Sequence, residues 1–268
     1  MDFVYENYED MIVQKEDGVV TITLNRPGRL NAFSAAMREG LKRVIREARV
    51  DDEAKVLIFT GAGRGFCSGA DVGADAPRED GKPIPRWQFM EPRYSWVNEM
   101  RSLDKPIIAA VNGVAAGGGF SIALACDIRI ASEEAKFVSA FVRRGLIPDT
   151  CATYFLPRIV GTARALELMW SGDSIDAKEA ERIGLVNKVV PPDNLMKVAR
   201  EFAVRLAKGP SVAIELTKRA VYAGLESDLQ TQGVYEHYLQ FLFINETYDR
   251  KEGMLSFQQK RPPEWKGR

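Results

Sequence analysis

The chain has 268 residues, of which 46% are hydrophobic and 28% are charged, so it has the composition of a globular protein and enough length to bury a sizeable core. Lysine plus arginine and aspartate plus glutamate are equal at 37 each, which gives no electrostatic reason to expect binding to nucleic acid or to an anionic membrane. There is no basic start followed by an apolar run and no apolar run long enough to cross a bilayer, so we expect a cytoplasmic protein.

The amino-terminal part alternates strand-like and helix-like segments. Residues 11–15 and 18–24 flank a Glu-Asp-Gly turn and predict a β-hairpin. Ser34 is a suitable N-cap for a helix that runs to about residue 49. The apolar run at residues 56–60 then predicts a buried strand. This alternation indicates an α/β core with ligands at the ends of its strands.

Two glycine-rich loops follow strand-like runs, at residues 61–72 and 112–119. The second loop ends in three consecutive glycines, Gly117 to Gly119, before an apolar helix at residues 120–126. Glycines let another molecule approach the backbone, and the free N–H groups of a first helical turn favour a negative oxygen. The pattern therefore predicts a place where a carbonyl oxygen that becomes an oxyanion is stabilised. The alternative is a tight turn with close helix packing and no ligand.

A long segment at residues 75–92 contains several prolines and charges, and aromatic residues lie in it or just after it. Trp87 and Trp96 are among these aromatic residues. Long loops on rigid scaffolds are often functional, so one interpretation is a lid over a pocket. The alternative is that the rings pin the loop to the core.

The carboxyl-terminal part is mostly helical, and only residues 186–190 predict a strand there. We therefore divide the chain into a core at residues 1–200 and a helical region at residues 201–268, which we expect to cover a neighbouring surface or another copy of the chain. The predicted helices are residues 163–171, 177–183, 194–208, 212–224, 229–248 and 251–259.

The residues that support metal or nucleophilic chemistry elsewhere are sparse here. Cys67, Cys126 and Cys151 are odd in number and far apart, which predicts reduced thiols rather than disulfides or a zinc site. His237 is the single histidine and lies in a helical aromatic stretch, where a surface or packing role is expected. We therefore expect no metal.

Several short stretches together resemble the crotonase superfamily, also called the enoyl-CoA hydratase/isomerase family, along essentially the whole chain. The resemblance implies a spiral of ββα units with a carboxyl-terminal helical trimerisation region, and a homotrimer or a dimer of trimers. It also implies an acyl-CoA thioester as substrate, with coenzyme A present only as part of that substrate and no other cofactor. The stretches that carry it are residues 24–27, 30–32, 65–71, 109–113, 117–119, 126–129, 156–158, 177–180, 184–187 and 257–261.

The resemblance also implies roles for particular residues. The family's oxyanion hole, made of two backbone N–H groups, corresponds to Ala70 and Gly118 here. Two preorganised donors of this kind stabilise the enolate of a thioester, so that its α-carbon exchanges protons more easily. The residues expected to contact coenzyme A are Ser68, Gly69, Ala70, Asp71, Val72, Gly73, Gly117 and Gly118, with Phe257 and Lys260 near its phosphates.

The chain departs from the family where the hydratases carry two catalytic glutamates. Those positions are Ser121 and Phe141 here, and neither side chain can transfer a proton as a carboxylate does. We expect both to line the substrate pocket, together with Trp87 and Trp96.

A third family position, used by some isomerases, is Asp149. A single carboxylate beside an oxyanion hole suits a proton shuttle between two carbons, so an enoyl-CoA isomerase is the leading hypothesis. One alternative is hydration or hydrolysis with Asp149 activating water, and another is a CoA-binding subunit without catalysis. Asp149 is also a favourable N-cap for a helix that starts near residue 150.

Overall fold

Twenty helices and strands of regular hydrogen bonding make up the described structure, a computed structural model that covers residues 4–71 and 95–268. Short 3₁₀ turns lie between several of them, and wider helical turns follow α9. In chain order the elements are β1 (Met11–Glu16), β2 (Val19–Leu24), α1 (Ala35–Val50), β3 (Val56–Gly61), β4 (Gly65–Cys67), α2 (Ser95–Arg101), β5 (Ile107–Val111), β6 (Val114–Ala116), α3 (Gly118–Ala125), β7 (Ile128–Ser132), β8 (Lys136–Val138), α4 (Ala152–Val160), α5 (Thr162–Ser171), β9 (Ser174–Asp176), α6 (Ala177–Arg182), β10 (Lys188–Val190), α7 (Leu195–Ala207), α8 (Ser211–Gly224), α9 (Leu229–Tyr238) and α10 (Tyr248–Gln259).

The strands form two sheets. The larger has the order β1-β2-β3-β5-β7-β10 and is parallel except for the β1–β2 hairpin. The smaller has the order β4-β6-β8-β9, and only β9 is antiparallel to its neighbour. From β3 onward, successive ββα units place their first strand in the larger sheet and their second strand in the smaller one. The chain therefore winds as a spiral of ββα units, which confirms the α/β prediction.

The central strands β3 and β5 of the larger sheet are buried on both faces. Leu57 and Phe59 of β3 face the layer that contains α1 and α3, whereas Val56 and Ile58 face the opposite layer, which is made by α7. Successive side chains of a strand point to opposite faces, so the sequence of a strand that is covered on both faces is a continuous apolar run. This explains why the strand signal at residues 56–60 is so clear.

The smaller sheet was not predicted. Residues 65–67, 114–116, 136–138 and 174–176 form its strands, although the first two lie in segments that the sequence analysis treats as glycine-rich loops. A three-residue strand is too short to show an alternating pattern, and glycine and alanine carry little strand preference. The predicted order of strand, glycine loop and helix therefore contains an additional short strand, β6, before α3 begins.

Most other predicted elements are confirmed with small changes in their ends. The hairpin and α1 are present, and the Ser34 hydroxyl oxygen accepts a hydrogen bond from the Met37 N–H as an N-cap. The predicted helix at residues 229–248 is wrong in part, since α9 ends at Tyr238 and wider and 3₁₀ turns follow up to Glu246. The division at residue 200 stays a prediction. None of the described helices is long and apolar enough to span a bilayer.

Candidate active site

The candidate site lies where three neighbouring strands of the smaller sheet end. β4, β6 and β8 are parallel, so their carboxyl ends meet at one edge of the sheet. The segments that follow them are residues 68–71, 117–118 and 139–141. The Gly117 N–H donates to the Val138 carbonyl at 3.1 Å, which joins the second segment to the start of the third. The two glycine-rich loops of the sequence analysis are thus brought to the same place.

The loop after β4 is held against Phe33 by a short parallel bridge. The Phe33 N–H donates to the Gly69 carbonyl at 2.8 Å, and the Asp71 N–H donates to the Phe33 carbonyl at 3.4 Å. In such a bridge the residue between these two bonds, Ala70, directs its own N–H to the other side. Neither the Ala70 N–H nor the Gly118 N–H donates a hydrogen bond within the described part of the chain.

The backbones of the two loops touch. A Cβ on Gly69 would lie 2.8 Å from the Ala116 carbonyl oxygen and 3.1 Å from the Gly118 nitrogen. Gly69 has a φ of +93° and Gly117 a φ of +51°, which favours glycine at both positions. Two free N–H groups on directly abutting loops are what an oxyanion hole requires, since both donors must reach one oxygen.

Two side chains that the sequence analysis did not assign a role fix the first loop. The fully buried Asn31 donates through Nδ2 to the carbonyls of Ala62, at 2.9 Å, and Gly65, at 2.7 Å. Arg26 forms an ion pair with Asp71 at 3.0 Å and donates to the Ala32 carbonyl at 2.7 Å. Both belong to the stretches that carry the family resemblance, and that was the only signal in the sequence for them.

Gly119 and Cys67 show where α3 packs on β4. A Cβ on Gly119 would lie 2.1 Å from the Cys67 carbonyl oxygen, so this glycine is required by packing. Burial raises the pKa of the Cys67 thiol to about 12, although the Gly69 N–H donates to its sulfur at 3.5 Å and opposes this. The thiol therefore stays protonated at neutral pH and is not a nucleophile.

The two positions that correspond to the hydratase glutamates are both buried. Ser121 is fully inaccessible, and its hydroxyl donates to the Gly117 carbonyl at 3.3 Å, one turn earlier in α3. Phe141 is 7% exposed and follows the end of β8. Neither supplies a titratable group to this edge of the sheet.

Asp149 is exposed and lies between β8 and α4. The two residues after it, Thr150 and Cys151, have φ values of +49° and +62°, an unfavourable conformation for side chains other than glycine. Helix α4 begins at Ala152 with Cys151 as its N-cap residue, so it starts later than predicted. Burial and the charge of Asp149, two positions earlier, both raise the pKa of the Cys151 thiol.

Helices α3 and α4 pack together, and residues from the carboxyl halves of both line one cavity. Leu124 and Cys126 contribute from the end of α3, and Arg158 and Ile159 from the end of α4. Tyr154 and Phe155, near the start of α4, line the same cavity. Asp149 lies in the segment that precedes α4.

The remaining predicted site residues lie in the core, near the end of α10 or outside the described residues. Trp96 lies on α2 and is 1% exposed, with its ring 5.7 Å from that of Phe33, so it is part of the core. Phe257, at the end of α10, is 86% exposed, and Lys260 follows it with a φ of +53°. No contact in the described chain links these two to the glycine loops. Val72, Gly73 and Trp87 lie outside the described residues.

Comparison with known proteins identifies relatives along the whole chain. The family model described as enoyl-CoA hydratase/isomerase matches residues 14–268. The 1,2-epoxyphenylacetyl-CoA isomerase of Escherichia coli K12 is 39% identical over 262 residues, which cover 97% of this chain and 99% of that protein. The short-chain-enoyl-CoA hydratase of Clostridium acetobutylicum is 38% identical and covers 94% of this chain and 95% of its own length.

Solved structures agree with the sequence relatives. The crystal structure of an enoyl-CoA hydratase from Bacillus anthracis superimposes with a TM-score of 0.89 at 35% identity, covering 97% of this chain and 100% of the other. An enoyl-CoA hydratase/isomerase from Cupriavidus metallidurans CH34 gives the same TM-score and identity and covers 98% of each chain. The expected crotonase-like fold is thereby confirmed, and the chain belongs to the enoyl-CoA hydratase/isomerase family of the crotonase superfamily.

Proposed function

We propose that the protein is an acyl-CoA isomerase that moves a proton between two carbons of an enoyl-CoA thioester. In this proposal the N–H groups of Ala70 and Gly118 hold the thioester oxygen, and Asp149 carries the proton. The observation that supports it most directly is the chemistry of the site edge: both hydratase glutamate positions are buried side chains without a carboxylate, Ser121 and Phe141, whereas Asp149 is exposed.

Two other carboxylates, Asp71 and Glu99, form ion pairs with arginines. Asp71 is 16% exposed and forms an ion pair with Arg26, which also approaches Asp10 at 3.5 Å. Glu99 on α2 forms ion pairs with Arg46 at 2.8 Å and Arg49 at 3.3 Å on α1. The proposal assigns proton transfer to Asp149 because it occupies the position that some isomerases of the family use, whereas Glu99 lies against α1.

The proposed reaction needs one base and one oxyanion hole. Asp149 removes a proton from one carbon of the acyl chain, and the electron pair moves onto the thioester oxygen as an enolate. The two backbone donors stabilise that negative charge, and loss of one such donor typically costs about 3–4 kcal/mol of transition-state stabilisation. The protonated carboxyl then returns the proton to a different carbon, so the side chain ends in its original state.

Proton exchange tests this proposal directly. We would incubate the protein with 2-enoyl, 3-enoyl and aryl acyl-CoA substrates in deuterated buffer and follow the mass of each substrate. Deuterium is expected to enter without net addition of water. Asp149→Asn should abolish this exchange, whereas Asp193→Asn, a matched change of an exposed aspartate between β10 and α7, should not affect it. Unchanged turnover in Asp149→Asn on the true substrate would exclude the mechanism.

A second reaction class follows from the exposure of Asp149 to solvent. A carboxylate open to water can activate that water as a nucleophile, which would give hydration or hydrolysis at the same site. The reaction in oxygen-18 water separates the classes, because isomerisation incorporates no label into the product. A protein that binds acyl-CoA but catalyses no exchange on any substrate would instead be a non-catalytic subunit.

We also propose the expected arrangement around the substrate. Residues 68–73 with Gly117 and Gly118 would hold coenzyme A, and Phe257 and Lys260 would contact its phosphates. The large exposure of Leu229, at 90%, and Phe257, at 86%, supports association of the helical region with further copies of the chain. Sedimentation analysis tests this, with a trimer or a dimer of trimers as the expected state and a monomer as the contradicting one.

A further inference from the structure

The cavity between the ends of α3 and α4 lies at the opposite edge of the larger sheet from the glycine loops. It has a volume of about 430 Å³ and is lined by residues of α8, of α4 and of the segments that precede β5 and β7. The glycine loops follow the carboxyl ends of β3 and β5, whereas this cavity lies at the amino ends of β5 and β7. Helix α3 separates them, because Gly118 begins it, Leu124 lies in its last turn, and eight residues span about 12 Å.

The lining carries an excess of positive charge. Asp127 is saturated by the Lys218 ammonium at 2.7 Å, the Tyr222 hydroxyl at 2.6 Å and the Ile107 N–H at 2.7 Å. At the rim, Glu226 accepts hydrogen bonds from the Tyr154 hydroxyl and from Arg158. Each of these two carboxylates therefore already has a cationic partner.

Two further guanidinium groups form no ion pair within the described chain, although the charge of Asp127 acts on Arg129 and that of Arg101 acts on Glu226. Arg129 is 6% exposed and donates only to backbone carbonyls, through Nε to Leu185 at 2.7 Å and through Nη1 to Cys126 at 2.6 Å. Its Nη2 makes no hydrogen bond to a described residue. Arg101 stacks on the Tyr222 ring, with Cζ 3.1 Å from the ring centroid, and forms no ion pair within residues 4–71 and 95–268.

The remaining wall is apolar. Leu124, Phe155, Ile159, Ile214, Val221 and Leu225 line the same cavity. An inorganic anion would satisfy the two guanidinium groups but would leave this wall in contact with water. A hydrocarbon without charge would cover the wall but would leave the guanidinium groups unpaired. The complementary molecule has a hydrocarbon body and one carboxylate, which arginine binds in a planar, two-point geometry.

We propose that this cavity is a binding site for a free monocarboxylic acid with a hydrocarbon body, separate from the candidate active site. Its carboxylate would bind Arg101 and Nη2 of Arg129, and its hydrocarbon body would lie against α8 and α4. Because the site does not involve Ala70, Gly118 or Asp149, its existence does not depend on the proposed reaction.

Calorimetric titration of the full-length protein with octanoate tests the proposal. Octanoate is expected to bind more tightly than octanol, and inorganic phosphate is expected not to bind. Arg101→Gln, which removes one charge but keeps a polar side chain, should weaken octanoate binding about tenfold, corresponding to about 1.4 kcal/mol. Arg164→Gln, a matched change of an exposed arginine on α5, should leave the affinity unchanged. Saturating coenzyme A should not displace octanoate.

Several results would overturn this inference. Octanoate that fails to bind, or that binds equally well to Arg101→Gln, does not use this cavity. Displacement by coenzyme A would place octanoate in the acyl-CoA site instead. Leu225→Glu introduces a negative charge into the wall and should also weaken octanoate binding. If that variant lowers the oligomer mass in sedimentation while octanoate binding is absent from the original protein, a second copy of the chain covers the cavity.

Discussion

The backbone of Gly69 lies directly against that of Gly118, so that a Cβ on Gly69 would come within 3.1 Å of the Gly118 nitrogen. Gly69 follows β4, Gly118 begins α3, and the two are 49 positions apart in the sequence. The contact sets the spacing between the Ala70 N–H and the Gly118 N–H, which the proposed reaction requires to converge on one oxygen.

Gly69→Ala should therefore impair catalysis more than an ordinary strained substitution does. The new methyl group would meet the Ala116 carbonyl oxygen at 2.8 Å and push the loops apart, and the φ of +93° adds backbone strain. We expect a loss of unfolding free energy of about 1–3 kcal/mol and a reduction of the exchange rate of about a hundredfold, as for removal of one oxyanion donor.

The matched control for that prediction is Gly161→Ala. Gly161 has a similar φ of +81°, but nothing lies within 4 Å of its added Cβ, so only the backbone strain is introduced. The free energy of unfolding from urea denaturation and the rate of deuterium exchange are measured for both variants. Equal effects of the two substitutions on the exchange rate would contradict the importance of the loop contact.

The three consecutive glycines illustrate what the sequence could predict about the site. The packing interpretation applies to Gly119, which is required against Cys67, whereas Gly117 has a positive φ and the Gly118 N–H donates to no described residue. The oxyanion hole stays a prediction. Sequence chemistry predicts that glycine is needed at such a turn. It does not assign the reason to each glycine, because that depends on a loop from another ββα unit.

Prediction of the fold succeeded where elements were long and apolar. β3 and β5 of the larger sheet were predicted because burial on two faces leaves a continuous apolar run. The smaller sheet was missed, because β4, β6 and β8 are three residues each. These missed strands are the ones that position the candidate site, so its geometry was available only through the family resemblance.

Ser139→Ala should leave the protein equally stable or make it more stable. The Ser139 hydroxyl is buried, the residue being 2% exposed, and it makes no hydrogen bond within the described chain. A buried polar group without a partner costs about 1–3 kcal/mol, so its removal offsets the small cavity that alanine leaves. The free energy of unfolding from urea denaturation checks this expectation.

Ser121→Ala is the comparison for Ser139→Ala. Ser121 is equally buried, but its hydroxyl donates to the Gly117 carbonyl at 3.3 Å. Loss of a satisfied hydrogen bond is expected to lower the free energy of unfolding by about 0.5–1.5 kcal/mol. The two substitutions should thus have different signs or clearly different sizes, and an identical loss in both would show that the Ser139 hydroxyl is also satisfied.

Asp127→Asn should weaken the attachment of α8 to the larger sheet. Its carboxylate joins Lys218 and Tyr222 of α8 to the Ile107 N–H at the start of β5. The asparagine keeps the shape but leaves the Lys218 ammonium, which is 9% exposed, without its counter-charge. We expect a loss of about 2–3 kcal/mol of unfolding free energy, as for removing one partner of a largely buried ion pair.

The control for this ion pair is Asp104→Asn. Asp104 pairs with Arg219 of the same helix, but the two side chains are 32% and 44% exposed. A solvent-exposed pair contributes about 0–1 kcal/mol, so this substitution should have a small effect. A double-mutant cycle of Asp127→Asn with Lys218→Met measures the coupling, and strict additivity would show that the two groups do not stabilise each other.

Glu252 holds the residues that follow α10 against that helix, and we expect this stabilisation to be lost at acidic pH. The Arg261 guanidinium donates to both oxygens of this carboxylate, at 2.5 and 2.9 Å, and the Glu264 N–H donates to it at 2.8 Å. These bonds, the Arg261 guanidinium first, lower the pKa of Glu252 from its ordinary 4.5 to about 2. The carboxylate is charged in both folded and unfolded chains above pH 4.5, so its full contribution to stability is present there.

As the pH falls below about 4.5, the unfolded chain takes up a proton at Glu252 before the folded chain does, so this stabilisation declines and is lost near pH 2. Glu252→Gln removes the charge at every pH. The difference in Tm between the original protein and this variant should therefore be largest at neutral pH and shrink between about pH 4.5 and 2.

Glu179→Gln, which removes an exposed pair with Arg182 on α6, should change the Tm little at any pH. A Tm difference for Glu252→Gln that stays constant across this range would mean that the Arg261 contact does not anchor the carboxyl-terminal residues through charge.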